Sequence, residues 1–121
     1  MDTVLLNIGI SMLIGIIFIL SGLMLLYKPP KDINGLYGYR TKRSMKNMTL
    51  WKEGNEYSAK LLIKYGVLIL LLGSVLSFLV KRTEYALLSI VSLMVMLAIF
   101  IILRVEKRLK HLEKTSDTDL I

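Results

Sequence analysis

From Thr3 to Tyr27 the chain runs 25 residues without a charged side chain. As an α-helix that stretch would reach ~37 Å at 1.5 Å per residue, enough to cross a hydrocarbon core of ~30 Å with tilt to spare. A cleaved signal peptide would open on a basic segment and carry a shorter apolar core. This one offers only Asp2 ahead of the apolar run, so a retained transmembrane helix is expected. Two more spans follow, from about Leu61 to Val80 and from Tyr85 to Leu103. Only Lys81-Arg82-Thr83-Glu84 separates them, a link short enough to force an antiparallel helical hairpin. Lys64 falls at the edge of the second span, where its stem can lie in the bilayer while its ammonium reaches the interface.

The charges are confined to what the spans leave over. The sequence is 55% hydrophobic with a mean hydropathy of +0.61, yet it holds 16 Lys/Arg against 9 Asp/Glu. The segment 28–60 carries eight of the cations, the tail after Leu103 five, and the 81–84 link two. Because basic loops stay on the cytoplasmic side, this asymmetry predicts a cell-membrane protein with its N-terminus outside and its C-terminus inside. The expected fold class is therefore an all-α integral membrane protein, one domain over 1–121. It has three transmembrane helices (about 3–27, 61–80 and 85–103), a structured cytoplasmic loop over 28–60, and a charged cytoplasmic tail over 104–121. Small residues place Ser11, Gly15 and Gly22 on one face of the first span, and Gly66, Gly73 and Ser77 on one face of the second. Ser89 and Ser92, followed by Met96, share a face of the third. Such faces let helix backbones approach closely in lipid, where no hydrophobic force drives association. They also permit a homo-oligomer.

The same composition excludes much chemistry. With no Cys, the chain has no disulfide, Fe–S cluster, thiolate zinc site or Cys nucleophile. One His, in a tail of alternating charge, cannot build a His-based metal site. No Ser/His/Asp arrangement, paired carboxylates or phosphate-binding glycine loop is present, so neither an enzyme nor a cofactor is expected. No acid sits mid-span, which argues against a proton-coupled or multidrug transporter. The tail pairs Glu106-Lys110 and Lys110-Glu113-Lys114 read as surface pairs on a solvated helical extension, and Thr115–Ile121 is expected to fray. The cations flank membrane spans, so anionic lipid headgroups explain them more simply than direct nucleic-acid binding does.

The loop is where information concentrates. Pro29 and Pro30 end the first helix, because each lacks an N–H and disfavours helical geometry before it. Asn34-Gly35 and Gly38 are turn formers. Beyond them, Asn47 or Thr49 can cap a helix containing Leu50, Trp51, Glu53, Glu56 and Tyr57 that runs on through Lys60 into the second span. A solvated basic connector would account for Lys42, Arg43, Lys46 and Lys52. It would not account for two glycines, two tyrosines and a tryptophan around Arg40. The alternative is that Asn34–Thr41 folds back on the membrane face and orders Arg40 against an anionic group or a carbonyl.

The string Asn34-x-x-Tyr37-Gly38-Tyr39-Arg40-Thr41, followed by Ser44, Asn47, Trp51 and Asn55 ahead of an apolar helix, resembles the SdpI family of bacterial membrane immunity proteins. The likeness covers about Pro30 to Val80. Ser58-Ala59 departs from it, standing where a Gly-containing step is expected. The resemblance implies a protein that protects its producer from a secreted, membrane-active peptide toxin. In the best-known case such a protein also ties up a cytoplasmic transcriptional repressor. By this match the motif residues are Asn34, Tyr37, Gly38, Arg40, Thr41, Ser44, Trp51 and Asn55, as a binding or structural set with no catalytic or metal role. A holin-like pore former is the alternative that length, topology and the charged tail also allow.

Overall fold

The computed structural model describes residues 2–119, with side chains as far as Thr115. It contains three helices in order: α1 (Thr3–Tyr27), α2 (Met48–Leu79) and α3 (Thr83–Asp119). All three are long and apolar enough to cross a membrane, as the sequence predicts. Their outer surfaces carry Leu13, Leu20, Leu71, Leu88 and Met96 well exposed, an arrangement that lipid tolerates and water does not.

Sequence sets the helix boundaries. Asp2 caps α1 by accepting from Val4 N, and Pro29-Pro30 follow its end. Of the two candidate caps for the second helix, Asn47 takes the role, its side chain accepting from Leu50 N at 2.9 Å. That helix then continues unbroken past Lys60, so only residues 28–47 lie outside regular structure between α1 and α2. At 32 and 37 residues, α2 and α3 exceed the ~20 residues that a bilayer requires. Both therefore project beyond it, and they do so at the same end, where residues 28–47 also lie. The backbone stays helical to Asp119, so the fraying expected from Thr115 is not found that far; Leu120 and Ile121 lie outside the described residues.

α2 is the central helix, with α1 packed along it closely and α1 and α3 in only slight contact. The two seams are built differently. Between α1 and α2 the small faces meet as the sequence suggests. A Cβ on Gly66 would lie 2.9 Å from Gly15 O and 3.0 Å from Ile19 N, and one on Gly22 would lie 2.6 Å from Ala59 O. Backbone thus touches backbone, and the Ser58-Ala59 step serves that approach without a glycine. Further along, Gly73 accommodates the buried Ser11.

The seam between α2 and α3 is made of large side chains: Leu50, Leu61, Tyr65 and Ile69 against Leu97, Ile101, Val105 and Leu109. The small face expected on the third span is not what packs. Ser92 and Met96 are exposed, and Ser89 donates to Tyr85 O in its own helix. The reason is spacing. Ala86, Ile90, Leu97, Ile101, Val105 and Leu109 repeat on the opposite stripe and bury more apolar surface per turn than two serines can.

Candidate functional site

Residues 28–47 do not behave as a solvated connector. Asn34 starts the fold-back: its Oδ1 accepts from Leu36 N and Tyr37 N at 2.9 and 2.7 Å, and its Nδ2 donates to Asp32 O. This is an Asx-type turn, in which the short amide replaces a backbone acceptor. It aims Tyr37 back at α1, where the phenol donates to Lys28 O at 2.7 Å and lies 3.1 Å from Met24 O. The C-cap carbonyl of Lys28 is thereby satisfied, while Met24 O also accepts from Lys28 N at 2.9 Å.

Gly38 sits where the loop crosses α2. Its φ is +120°, and a Cβ there would meet Asn55 Oδ1 at 2.7 Å and Trp51 and Pro30 each at 3.0 Å. Both constraints admit only glycine. Beneath it, Asn55 is buried and fully engaged: Oδ1 accepts from Tyr39 N at 2.7 Å, and Nδ2 donates to Trp51 O at 2.7 Å. Trp51, with no exposed surface, donates from Nε1 to Pro30 O at 3.1 Å. Thr41 and Ser44 close the next turn reciprocally, Thr41 N donating to Ser44 Oγ and Ser44 N to Thr41 Oγ1. The buried Ser44 hydroxyl also donates to Tyr39 O at 2.9 Å.

Seven of the eight motif residues therefore form one connected knot that fastens the loop to α1 and α2. Arg40 stands apart. It is exposed and donates to Gly35 O, a carbonyl within its own loop, which is the second of the two partners the sequence reading allowed.

Sequence reasoning overlooked the third attachment, which is to α3. Tyr39 donates to Glu106 Oε1 at 2.7 Å. Arg43 pairs with Glu106 at 2.8 Å and with Glu113 at 3.0 Å, and Lys46 pairs with Glu113. Glu106 and Glu113 are thus partners of the loop, where the sequence suggested only pairs within the tail. Arg43 and Lys46 cross the gap because the buried Val105 and Leu109 turn both acids toward the loop. The signal available was the seven-residue spacing of these acids, which puts them on one helix face in an otherwise basic tail.

The electrostatics follow from that geometry. Burial at the seam pushes the Glu106 carboxyl up, but hydrogen bonds from Thr41, Tyr39 and Arg43 outweigh it and hold the group below the usual carboxylate range. Hydrogen bonding from Lys46, then from Arg43, lowers Glu113. Burial, with Glu106 beside it, drives the Tyr39 phenol well above its ordinary value. Among the described residues no three His, Asp or Glu side chains are grouped to hold a metal ion.

A three-helix multi-pass membrane protein whose interhelical loop is knotted onto all three helices at one end is thus the class that fold and site define. A profile of the SdpI/YfhL protein family matches residues 31–104, more than half of the chain, and the chain belongs to that family. It is 50% identical over 64 residues to a protein of Bacillus subtilis (strain 168) named uncharacterized protein YfhL. The match takes in 50% of this chain and 58% of that protein's length. No solved structure matches.

Proposed function

We propose that this protein is a non-enzymatic membrane immunity factor that protects a producing bacterium from a membrane-active peptide toxin, with the loop inside the cell and the N-terminus outside. The observation that carries the reading is the way the motif uses its polar groups. Asn34, Tyr37, Ser44, Trp51 and Asn55 are engaged by one another or by backbone, which leaves them to hold the helices rather than grip a ligand. Recognition then belongs to the lipid-facing helix surfaces, where a peptide inserted in the bilayer would be met. A motif on the inner face and a toxin arriving from outside are compatible on this arrangement. Capture of a cytoplasmic repressor, which the family resemblance also implies, would require a surface that the knot leaves free, and Arg40 is on such a surface.

The test is a protection assay in a sensitive Gram-positive host challenged with membrane-active peptides. It compares wild type, Arg40→Ala and Asn55→Ala at matched membrane levels. Protection is expected from wild type and from Arg40→Ala, and it should fall in Asn55→Ala. Abrupt depolarisation on expression would instead identify a holin-like pore former and overturn the proposal.

A further inference from the structure

Beside the knot, on the other side of the α2–α3 seam, lies a cleft of about 710 Å³ that the motif does not use. Its floor is Phe100 and Leu103, exposed apolar side chains at the end of the third span and continuous with the lipid-facing surface. Its upper wall holds Arg104, Lys107 and Arg108, one above the next on α3, with His111 at the rim. Two of these cations are held from behind. Arg104 donates to the Tyr65 hydroxyl at 3.1 Å, and Arg108 pairs with Glu53 while its guanidinium lies 5.0 Å from the Tyr57 ring centroid. A guanidinium has five N–H donors, so each keeps most of them for another acceptor. Lys107 makes no ion pair or hydrogen bond with any described residue. Glu53 offsets one charge, and among the described residues no acid lines the cleft itself.

We propose that this cleft seats the phosphodiester headgroup of an anionic phospholipid, with the phosphate on Lys107 and the free N–H groups of Arg104 and Arg108, and an acyl chain running down past Leu103 and Phe100. Charge complementarity selects an anion, and the clamped guanidinium forks suit its oxygens. The apolar floor selects lipid over a soluble phosphate, because only a ligand with a hydrocarbon part gains from Leu103 and Phe100. Anionic lipid attracted generally to basic loops would need no such arrangement. The site would couple the α2–α3 seam to the charge of the surrounding leaflet, independently of any protective role.

The experiment is native mass spectrometry of the full chain released from detergent with phosphatidylglycerol or phosphatidylcholine added at equal ratio. Wild type should retain phosphatidylglycerol preferentially. Lys107→Gln/Arg108→Gln should lose that retention by about tenfold or more, since tenfold is the worth of a single charge-assisted hydrogen bond. Lys107→Gln alone should show part of the loss, and because Lys107 has no partner among the described residues, that variant reports on binding rather than folding. Lys107→Arg should retain the lipid. Lys42→Gln/Lys110→Gln, which removes the same charge from the same end outside the cleft, should behave as wild type. Equal losses in the two double variants would show a diffuse basic surface and overturn the site. Equal retention of both lipids, or displacement of phosphatidylglycerol by an equal amount of glycerol 3-phosphate, would overturn the lipid assignment.

Discussion

Asn55 shows what a single residue contributes here. Its amide is buried 16 residues downstream of Tyr39, and with Trp51, which holds Pro30 O, it ties the loop backbone to α2. Asn55→Ala leaves the half-buried Tyr39 N–H without its acceptor and should cost about 1–3 kcal/mol, and Trp51→Phe removes one hydrogen bond together with the pyrrole half of a fully buried indole and should cost about 2–3 kcal/mol. Thermal unfolding in mild detergent measures both. For Asn55→Ala there is a second readout, since Trp51 is the chain's one tryptophan and is fully buried. Its fluorescence should move to longer wavelength as the loop lifts. This residue-scale logic was half legible in the sequence. Turn formers, two prolines and a capping Asn before an amphipathic stretch announce a folded loop, and the family string picks out Asn34 to Asn55. Which hydroxyl or amide meets which carbonyl was not legible, because such pairings join positions far apart along the chain and no local periodicity encodes them.

At the scale of elements, the two seams should fail in different ways. Gly66→Ala places a methyl 2.9 Å from a carbonyl of α1, where backbone must move, and overpacking of that kind costs about 1–3 kcal/mol. Gly9→Ala, on a face with nothing within 4 Å, should be neutral or slightly stabilising. Paired melting curves of the two variants test whether α1 is held by close approach rather than by apolar bulk. The small faces of α1 and α2 were readable from sequence because glycine leaves few other readings in a long apolar helix. On α3 the two serines misled, since a serine in lipid can satisfy its hydroxyl on its own helix and needs no partner. The attachment of the loop to α3 is electrostatic and should respond to acid. Glu106 and Glu113 are held below the usual carboxylate range in the folded protein, so their contribution is complete well above the ordinary Glu value of about 4.3 and is lost as pH falls below it through their lowered folded-state values. Hydrogen-exchange protection over residues 39–46, corrected for intrinsic rate, should therefore decline between about pH 5 and 3. In Glu106→Gln/Glu113→Gln it should be low already at neutral pH and vary little with acid.

The whole molecule is asymmetric along the membrane normal. One end carries residues 28–47, the start of α2 and the end of α3, joined by the Arg43–Glu106, Arg43–Glu113 and Arg108–Glu53 pairs. Among the described residues the other end has only Asp2 with the start of α1, and the turn at Lys81-Arg82. The bundle therefore presents one built face and one bare face to the two aqueous sides, and the arrangement makes sense only if the sides differ. Most of the cations sit on the built face, which the orientation proposed above sets inside the cell. Because the chain has no cysteine, each engineered thiol is a unique reporter. Leu36→Cys, at 93% exposure in the loop, and Lys110→Cys on the tail should stay unlabelled by an impermeant maleimide in intact cells and react after lysis. Lys81→Cys should react in intact cells. Reaction of Leu36→Cys and Lys110→Cys from opposite sides would contradict the three-helix bundle itself. Reaction of both from outside, with Lys81→Cys silent, would keep the bundle, invert it, and set the knot facing the source of an incoming peptide.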